Sequence, residues 1–172
     1  MENLVRRAYA KINLGLDVIR KRPDGYHDVK MIMQTVDICD TLTFVKRGDD
    51  KLILSTNRRD LPHDEDNLVC RAARLLFDYK KASCGVSIHL VKNIPVAAGM
   101  AGGSTDAAAT LCGLNDLFEF GLGKEELLKL GVQIGADVPY CISGGCALAE
   151  GIGDVLTPLP VPPACELVIV KP

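Results

Sequence analysis

The sequence predicts an α+β domain in which helices pack against a sheet that is mostly antiparallel or mixed. Three observations lead to this fold class. Segments such as residues 86–92 alternate apolar and polar side chains, which is the pattern of a half-buried strand. Residues 67–80 instead repeat apolar side chains at helical spacing. Apolar residues make up 48% of the 172 residues, so the chain can bury the sizeable core that such a domain requires.

The first third of the chain is expected to consist of strands. Four strands are expected, over residues 6–20, 29–36, 41–46 and 51–55. The turn Pro23-Asp24-Gly25 separates the first two strands. A short connection over residues 37–40 separates the next two, and Gly48 with two aspartates closes the last pair into a hairpin. A polar loop follows over residues 57–65.

Three helices and two further strands are expected in the remainder. The helices span residues 67–80, about 104–120 and 124–133, and the strands span residues 141–150 and 166–170. Asp66 or Asn67 can cap the first helix. The apolar face of that helix consists of Leu68, Ala72, Leu75, Leu76 and Tyr79. Residues 121–123 end the second helix, residues 135–139 form a turn, and prolines within 158–163 separate the two strands.

Composition and charge argue against several classes of protein. The formal net charge of −2 gives no overall attraction to nucleic acid or to anionic membranes. No run of about 18 apolar residues exists, and the start of the sequence lacks the apolar stretch of a signal peptide. The seven cysteines form no C-x-x-C pair, and the three histidines lack zinc-site spacing. We therefore expect a cytoplasmic protein with reduced thiols.

One stretch is a candidate anion site, because it joins the strand over 86–92 to the start of the second helix. It consists of Pro95, Val96, Ala97, Ala98, Gly99, Met100, Ala101, Gly102, Gly103, Ser104 and Thr105. Glycines let backbone N–H groups approach a ligand, and a helix N-terminus adds unpaired N–H groups, so phosphate would suit the stretch. It lacks the Gly-Lys-Ser/Thr ending of a P-loop, and Ala101 replaces the second glycine of the dinucleotide fingerprint. A tight connection without a ligand also accounts for these residues.

The order of residues in this stretch resembles the central motif of the GHMP kinases, which include galacto-, homoserine, mevalonate and phosphomevalonate kinases. The sequence Pro-x-x-x-Gly-Met-Ala-Gly-Gly-Ser-Thr-Asp-Ala-Ala stands where those kinases have Pro-x-x-x-Gly-Leu-Gly-Ser-Ser-Ala-Ala. Met100 and Ala101 are mild departures. The resemblance implies the N-terminal domain of that family, a fold similar to the second domain of ribosomal protein S5. It also implies that the domain binds ATP and Mg²⁺.

Five further segments resemble one branch of this family, which phosphorylates a cytidine diphosphate alcohol in isoprenoid biosynthesis. The matching segments are Ala8–Leu14, Asp24–His27, Glu65–Leu68, Gly135–Pro139 and Ala149–Gly153. They are spread over nearly the whole chain. The Asp-Gly-Tyr-His turn in particular resembles the part of that branch that contacts cytosine. The implied partner is therefore a small molecule, with neither nucleic acid nor membrane.

The resemblance implies a catalytic pair. Asp137 would act on the substrate hydroxyl as a base or orienting acceptor, and Lys11 would support it near the transferred phosphoryl group. Phosphoryl transfer requires an oriented nucleophile and charge stabilisation more than covalent help, so these roles are chemically reasonable. From the residues alone, Lys11 also suits a solvated strand position and Asp137 a turn or cap.

The resemblance also implies nucleotide and substrate contacts. Residues 95–105 would contact ATP, with the Ser104 hydroxyl on phosphate or on Mg²⁺, and Asn67 would lie near adenine. His27 would hydrogen-bond the cytosine. The implied substrate-binding residues are Asn13, Tyr26, His27 and Val29.

Structural roles remain open for several of these residues. Ser104 and Thr105 also suit the N-cap of the second helix, and Asn67 suits the cap of the first. One ring near the Asp-Gly turn, that of Tyr26, also suits packing against the core.

Kinases of this family carry a second domain, and the resemblance places all of residues 1–172 in the first. We therefore expect an N-terminal, ATP-binding domain that lacks the C-terminal one and is weakly active or inactive by itself. Two alternatives remain. In the first alternative the chain is an inactive nucleotide-binding fragment. In the second it is a GHMP kinase for another small alcohol.

Overall fold

The computed structural model describes residues 3–170, which form six strands and four helices. The strands are β1 (Asn3–Lys21), β2 (His27–Arg47), β3 (Leu52–Thr56), β4 (Gly85–Val91), β5 (Cys146–Glu150) and β6 (Val155–Pro158). The helices are α1 (Leu68–Lys80), α2 (Gly102–Leu117), α3 (Lys124–Ile134) and α4 (Val138–Ser143). All strands form one sheet in the order β3-β4-β2-β5-β6, and β1 pairs with β2. Only the β3–β4 pair is parallel within the described residues, so the predicted α+β class with a mixed sheet is confirmed.

Strand β2 is the centre of the sheet. It pairs with β1 along one side, and with both β4 and β5 along the other. The predicted connection at 37–40 is wrong, because the strand continues through these residues. Asp40 gave the segment its polar character, yet its side chain is buried. The Asp40 carboxylate accepts hydrogen bonds from the backbone N–H groups of Asn93 at 2.6 Å and Ile94 at 2.8 Å.

The predicted hairpin around Gly48 is also wrong. Strand β4 lies between β2 and β3, and β3 pairs with β4 in parallel. Val86, Ile88 and Leu90 of β4 are almost completely buried on one face, so β4 takes a central position that a local turn signal cannot reveal.

The second half of the chain differs from expectation in four places. Residues 138–143 form helix α4, so the strand predicted over 141–150 begins only at Cys146. Pro139 occupies the first turn of α4, where its missing N–H group costs nothing. Strand β6 was not predicted, whereas the strand predicted over 166–170 is absent from the described residues. Helix α2 begins at Gly102, two residues before the predicted start, and ends at Leu117, three residues before the predicted end.

The main core lies between the sheet and helices α1, α2 and α3. Helix α1 buries Val69, Cys70, Ala72, Ala73, Leu76 and Phe77. Tyr79, predicted on the same face, is half exposed instead. A smaller cluster under β5 contains Met31, Met33 and Tyr140. None of the described helices is long and apolar enough to cross a membrane.

Candidate functional site

We define the loop as residues 95–101 between β4 and α2, together with the first turn of α2. The loop packs against strand β1 and is hydrogen-bonded to it. Met100 is buried with Ala10 and Ile94 in a small apolar cluster. The backbone N–H group of Lys11 donates a hydrogen bond to the carbonyl oxygen of Met100 at 3.2 Å. The loop is therefore attached to the strand that also carries Lys11.

Three residues of this loop have a left-handed backbone. They are Ala97, Gly99 and Ala101, with φ angles of 55°, 71° and 58°. This conformation is open to glycine, but it costs about 1–2 kcal/mol for a residue with a Cβ atom. Ala101, which replaces a family glycine, therefore holds a strained position immediately before α2. Such strain is typical of ligand-binding loops.

The loop forms one wall of a cavity of about 370 Å³. Residues 95–104 all line the cavity, as does Asn67. The side chain of Asn67 also caps α1, because its Oδ1 accepts a hydrogen bond from the Val69 N–H group at 3.0 Å. Both roles that the sequence left open for Asn67 are thus compatible with its position.

Thr105 does not line this cavity. Its side chain is buried and donates a hydrogen bond from Oγ1 to the carbonyl oxygen of Tyr9 at 2.8 Å. The N-cap of α2 is Ala101, so neither Ser104 nor Thr105 caps the helix. Thr105 therefore has a structural role that differs from both sequence expectations, whereas the half-buried Ser104 faces the cavity.

Lys11, Asn13 and Asp137 meet beside the loop. The ammonium of Lys11 donates a hydrogen bond to Asn13 Oδ1 at 3.2 Å and lies 3.6 Å from Asp137 Oδ2. Lys11 is only 5% exposed, so it is not a solvated strand lysine. The side chain of Asp137 is 31% exposed and makes no capping hydrogen bond to α4, which leaves its carboxylate accessible. The pair is thus a buried cation beside a reachable carboxylate.

A buried charge cluster under the loop was not predicted. Lys92 Nζ forms ion pairs with Asp40 Oδ2 and with Asp106 Oδ2, the latter at 2.7 Å. All three side chains are buried. Burial raises the pKa of Asp106 to about 8, and the ammonium of Lys92 acts in the opposite direction. Because these residues are far apart in sequence, spacing gave no signal for the cluster.

The other predicted substrate residues lie along the arm, which we define as residues 14–21 of β1 and 27–33 of β2. The inner end of the arm also pairs with β5. Tyr26 and His27 are exposed at the tip of the arm. About six residues of β2 separate His27 from Met33, which pairs with Asn13, and this is a strand length of roughly 20 Å. The structure therefore brings Asn13 to Lys11, but it holds Tyr26 and His27 at a distance.

An ionic network, also not predicted, shapes the tip of the arm. The Arg22 guanidinium binds Asp24 at 2.8 Å and Asp28 at 2.9 Å, and Arg20 binds Asp28 at 2.5 Å. These hydrogen bonds lower the pKa of Asp24 and that of Asp28. Gly25 turns the chain with a φ of 87°. Tyr26 and His27 therefore follow a turn that the ion pairs of Arg22 stabilise. Val29, on the same strand, is half-buried and packs against the cluster that contains Met31.

The residues around the cavity fit a magnesium ion bound mainly through phosphate. The described residues hold no group of three or more His, Cys, Asp or Glu that could bind a metal alone. Magnesium keeps several waters and takes few protein ligands, so a rich ligand set is not required. Ser104 lines the cavity with a hydroxyl, and Asp106 Oδ1 is a buried oxygen without a hydrogen-bond partner in the described chain.

Comparison with known proteins points in one direction. The family model described as GHMP kinases N terminal domain matches residues 67–145. A relative from Lachnoclostridium phytofermentans, named 4-diphosphocytidyl-2-C-methyl-D-erythritol kinase, is 56% identical over 172 residues, which are 100% of this chain and 59% of that protein. A relative of the same name from Geobacillus sp. is 50% identical over 169 residues, 98% of this chain and 58% of its own length. The chain thus spans about three fifths of the curated relatives it matches.

Solved structures agree. The crystal structure of a 4-(cytidine 5'-diphospho)-2C-methyl-D-erythritol kinase has a TM-score of 0.80 and 36% identity, over 92% of this chain and 56% of that one. The mevalonate kinase of Methanococcus jannaschii has a TM-score of 0.71 over 92% of this chain and 56% of its own. Its identity is only 14%, so this second similarity concerns the fold alone.

Proposed function

We propose that this chain is the N-terminal, ATP-binding domain of a GHMP kinase of isoprenoid biosynthesis, in line with the family model that matches residues 67–145. The reaction proposed is the ATP-dependent phosphorylation of the 2-hydroxyl group of 4-diphosphocytidyl-2-C-methyl-D-erythritol. The observation that carries the proposal is the Lys11–Asp137 pair, which lies beside a glycine-rich loop that lines a nucleotide-sized cavity. The identity of 56% to a kinase with that name supports the choice of substrate.

The loop over residues 95–104 is the proposed binding site for the ATP phosphates. Backbone N–H groups at the start of α2 are unpaired within the helix and carry a partial positive charge, which suits phosphate oxygens. Gly103 leaves room there for the ligand to approach the backbone. Gly102 instead lets the loop lie close to Ile94, whose Cγ2 would be 3.2 Å from a Cβ atom at this position. Asn67, which also lines the cavity, is proposed to lie along the nucleoside.

The Lys11–Asp137 pair is proposed to act on the acceptor alcohol. The accessible carboxylate of Asp137 orients the substrate hydroxyl and accepts its proton as the phosphoryl group is transferred. The ammonium of Lys11, 3.6 Å from Asp137 Oδ2, is proposed to stabilise negative charge on the transferred group. Lys11 is joined to the loop by its own backbone N–H group, so the acceptor side and the donor side share one strand.

The arm is proposed to bind the cytidine end of the substrate. His27 offers a ring that hydrogen-bonds cytosine, Tyr26 and Val29 line the base, and Asn13 lies near the alcohol end. The strand length of roughly 20 Å between the ends of this surface requires an elongated substrate. A cytidine diphosphate alcohol has that property, whereas mevalonate or homoserine does not.

A magnesium ion is proposed as the second cofactor. When bound, the ion would supply positive charge that neutralises the ATP phosphates. Ser104 is the side chain proposed to hold it, because its hydroxyl lines the cavity at the first turn of α2. The proton of the acceptor hydroxyl is still handled by Asp137.

A phosphorylation assay tests the proposal. The chain is assayed alone and joined to the C-terminal part that its relatives carry, with ATP and a panel of alcohols that includes mevalonate, homoserine and galactose. We expect the longer form to phosphorylate only the cytidine diphosphate alcohol, with the product located by phosphorus NMR. Phosphorylation of a different alcohol would make the chain part of another GHMP kinase. Binding of ATP without any transfer, in both forms, would make it a non-catalytic nucleotide-binding domain.

A further inference from the structure

A group of hydrogen bonds lies across the strands from Lys11. Lys11 pairs with Thr35 in the β1–β2 register. The hydroxyl oxygen of Thr35 lies 3.1 Å from that of Tyr140, which in turn lies 2.6 Å from the carbonyl oxygen of Gly145. The N–H group of Gly145 donates to Thr35 Oγ1 at 3.0 Å, and the N–H group of Thr35 donates to the Gly145 carbonyl oxygen at 3.0 Å. These contacts join β2, α4 and the segment that leads into β5.

The direction of each hydrogen bond follows from counting protons. The Gly145 carbonyl can only accept, so Tyr140 uses its single hydroxyl proton there. Thr35 accepts from the Gly145 N–H group and therefore donates its own proton to the oxygen of Tyr140. Tyr140 is 1% exposed, and burial raises the pKa of its hydroxyl, which keeps the proton that it donates. The group is complete, and little water can reach the Tyr140 side chain to replace its contacts.

Helix α4 connects this group to Asp137. Asp137 is the N-cap of α4, and its carbonyl oxygen accepts a hydrogen bond from the Cys141 N–H group at 3.0 Å. Tyr140 lies three residues after Asp137, within the same turn. A single helical turn is stiff, so the position of the Tyr140 ring determines where α4 begins. Thr35 of β2 is thus connected to both residues of the pair. It pairs with Lys11 in the sheet, and it is linked to Asp137 through Tyr140 and helix α4.

We propose that Thr35 and Tyr140 are positioning residues that set the separation of Lys11 Nζ and Asp137 Oδ2 for phosphoryl transfer. The inference rests on the proposed function of that pair. Neither hydroxyl is available to the substrate, because both are used within the group. The Asp137 side chain lacks a capping hydrogen bond, and its 3.6 Å contact with Lys11 is too long for a direct one, so the carboxylate depends on its helix for its place.

The test removes one hydroxyl at a time in the chain joined to the C-terminal part of its relatives. Tyr140→Phe keeps the ring and Thr35→Val keeps the shape of the side chain. We expect kcat to fall about 10-fold or more in each, since a misplacement of 1 Å can cost about 100-fold. KM for ATP should stay within about 2-fold, because the ATP cavity is untouched. The double variant should lose little more than either single variant, since all three break the same group.

Conservative and matched variants separate positioning from packing. Thr35→Ser retains the hydroxyl and should recover most of kcat. Tyr79→Phe and Thr43→Val are controls outside the group: Tyr79 bonds Glu126, and Thr43 lies further along β2. The midpoint of thermal unfolding is recorded for every variant, so that only folded proteins are compared.

The outcomes are distinguishable. If the parent phosphorylates its substrate and both Tyr140→Phe and Thr35→Val keep the parental kcat, the inference is wrong and the proposed function stands. A loss of kcat that is as large in Thr35→Ser as in Thr35→Val also overturns the inference, because the methyl group would then matter and not the hydroxyl. A parent without any transferase activity overturns the proposed function, and the inference with it.

Discussion

Lys11 occupies a position that lysines rarely take, because its side chain is almost fully buried. Removing an ammonium from water costs several kcal/mol, which only good partners offset. Its partners are one amide oxygen and one partly exposed carboxylate, and neither carboxylate oxygen is within direct hydrogen-bond distance. An arrangement this incomplete is more typical of a site that awaits a negatively charged ligand than of a stabilising ion pair.

Asp137→Asn tests whether the Asp137 carboxylate accepts the proton of the acceptor alcohol. In the chain joined to the C-terminal part of its relatives, kcat should fall by about 10²–10⁴-fold, because the amide cannot accept the hydroxyl proton. The dissociation constant for ATP should not change. Asp50→Asn, at an exposed turn, is the matched control. Steady-state kinetics with an unchanged kcat would remove Asp137 from the proposed mechanism.

Lys92→Met tests the buried cluster in the chain by itself. Lys92 supplies the positive charge of the cluster and forms ion pairs with both Asp40 and Asp106. Removal of Lys92 leaves the buried Asp40 carboxylate without its cation, which should lower the free energy of unfolding by about 3–5 kcal/mol. Urea titration measures this change. The exposed Lys129→Met should stay within about 0.5 kcal/mol of the parent, and equal curves for both variants would contradict the prediction.

At the scale of elements, the loop before α2 offers a sharp test. Gly103→Val places a branched side chain where phosphate is proposed to meet the backbone, so the dissociation constant for ATP should rise about 10-fold, a loss of about 1.4 kcal/mol. A Cβ atom there would approach Leu68 Cδ1 at 3.2 Å, and that methyl group can move, so the fold should persist. Gly48→Val is the control, since no atom lies within 4 Å of its Cβ position. Isothermal titration that gives the parental affinity for Gly103→Val would mean that the loop only connects β4 to α2.

The arm offers a second test at this scale. His27→Ala should raise KM for the cytidine-bearing substrate about 10-fold, through loss of one hydrogen bond to the base. KM for ATP should stay at its parental value, because the tip of the arm is distant from the ATP cavity. His89→Ala, on β4, is the control. Parallel changes in both KM values would identify His27 as a structural residue.

Elements that depend on local patterns could be predicted, and those that depend on long-range pairing could not. Strand β1 and helices α1 and α3 lie close to their predicted bounds, because alternation and capping are local signals. The position of β3 beyond β4 is decided by burial of the whole sheet. The same distinction holds in the site. Residues 95–104 and Asn67 line one cavity, and their contacts with ATP stay a prediction, whereas the Lys92 cluster joins three segments that only the fold brings together.

At the scale of the whole molecule, the chain leaves much apolar surface in solvent. Leu14, Leu16, Val18 and Ile19 of the arm are each more than half exposed, and Val168 is 93% exposed. Exposed apolar patches of this kind favour association. We predict that the 172-residue chain folds and binds ATP weakly, phosphorylates slowly at most, and self-associates at high concentration.

Three measurements check this prediction: ATP affinity, steady-state turnover and sedimentation velocity as a function of concentration. Val18→Lys should reduce association and leave ATP binding unchanged, because the substitution lies on the arm and outside the cavity. Turnover of the chain equal to that of the longer form would show that the C-terminal part of the relatives is dispensable for catalysis.

The continuous course of β2 has a consequence for how the molecule folds. One end of β2 pairs with β4. The other end pairs with β5, where Met31 lies opposite Ala149 although the two residues are far apart in sequence. Closure of so long a loop has a high entropic cost before the contact stabilises anything, and such topologies fold slowly. We therefore expect the end of the sheet at β4 to form early, with docking of β5 as the late step. The geometry of Lys11 and Asp137 would then be completed last, after β5 has docked.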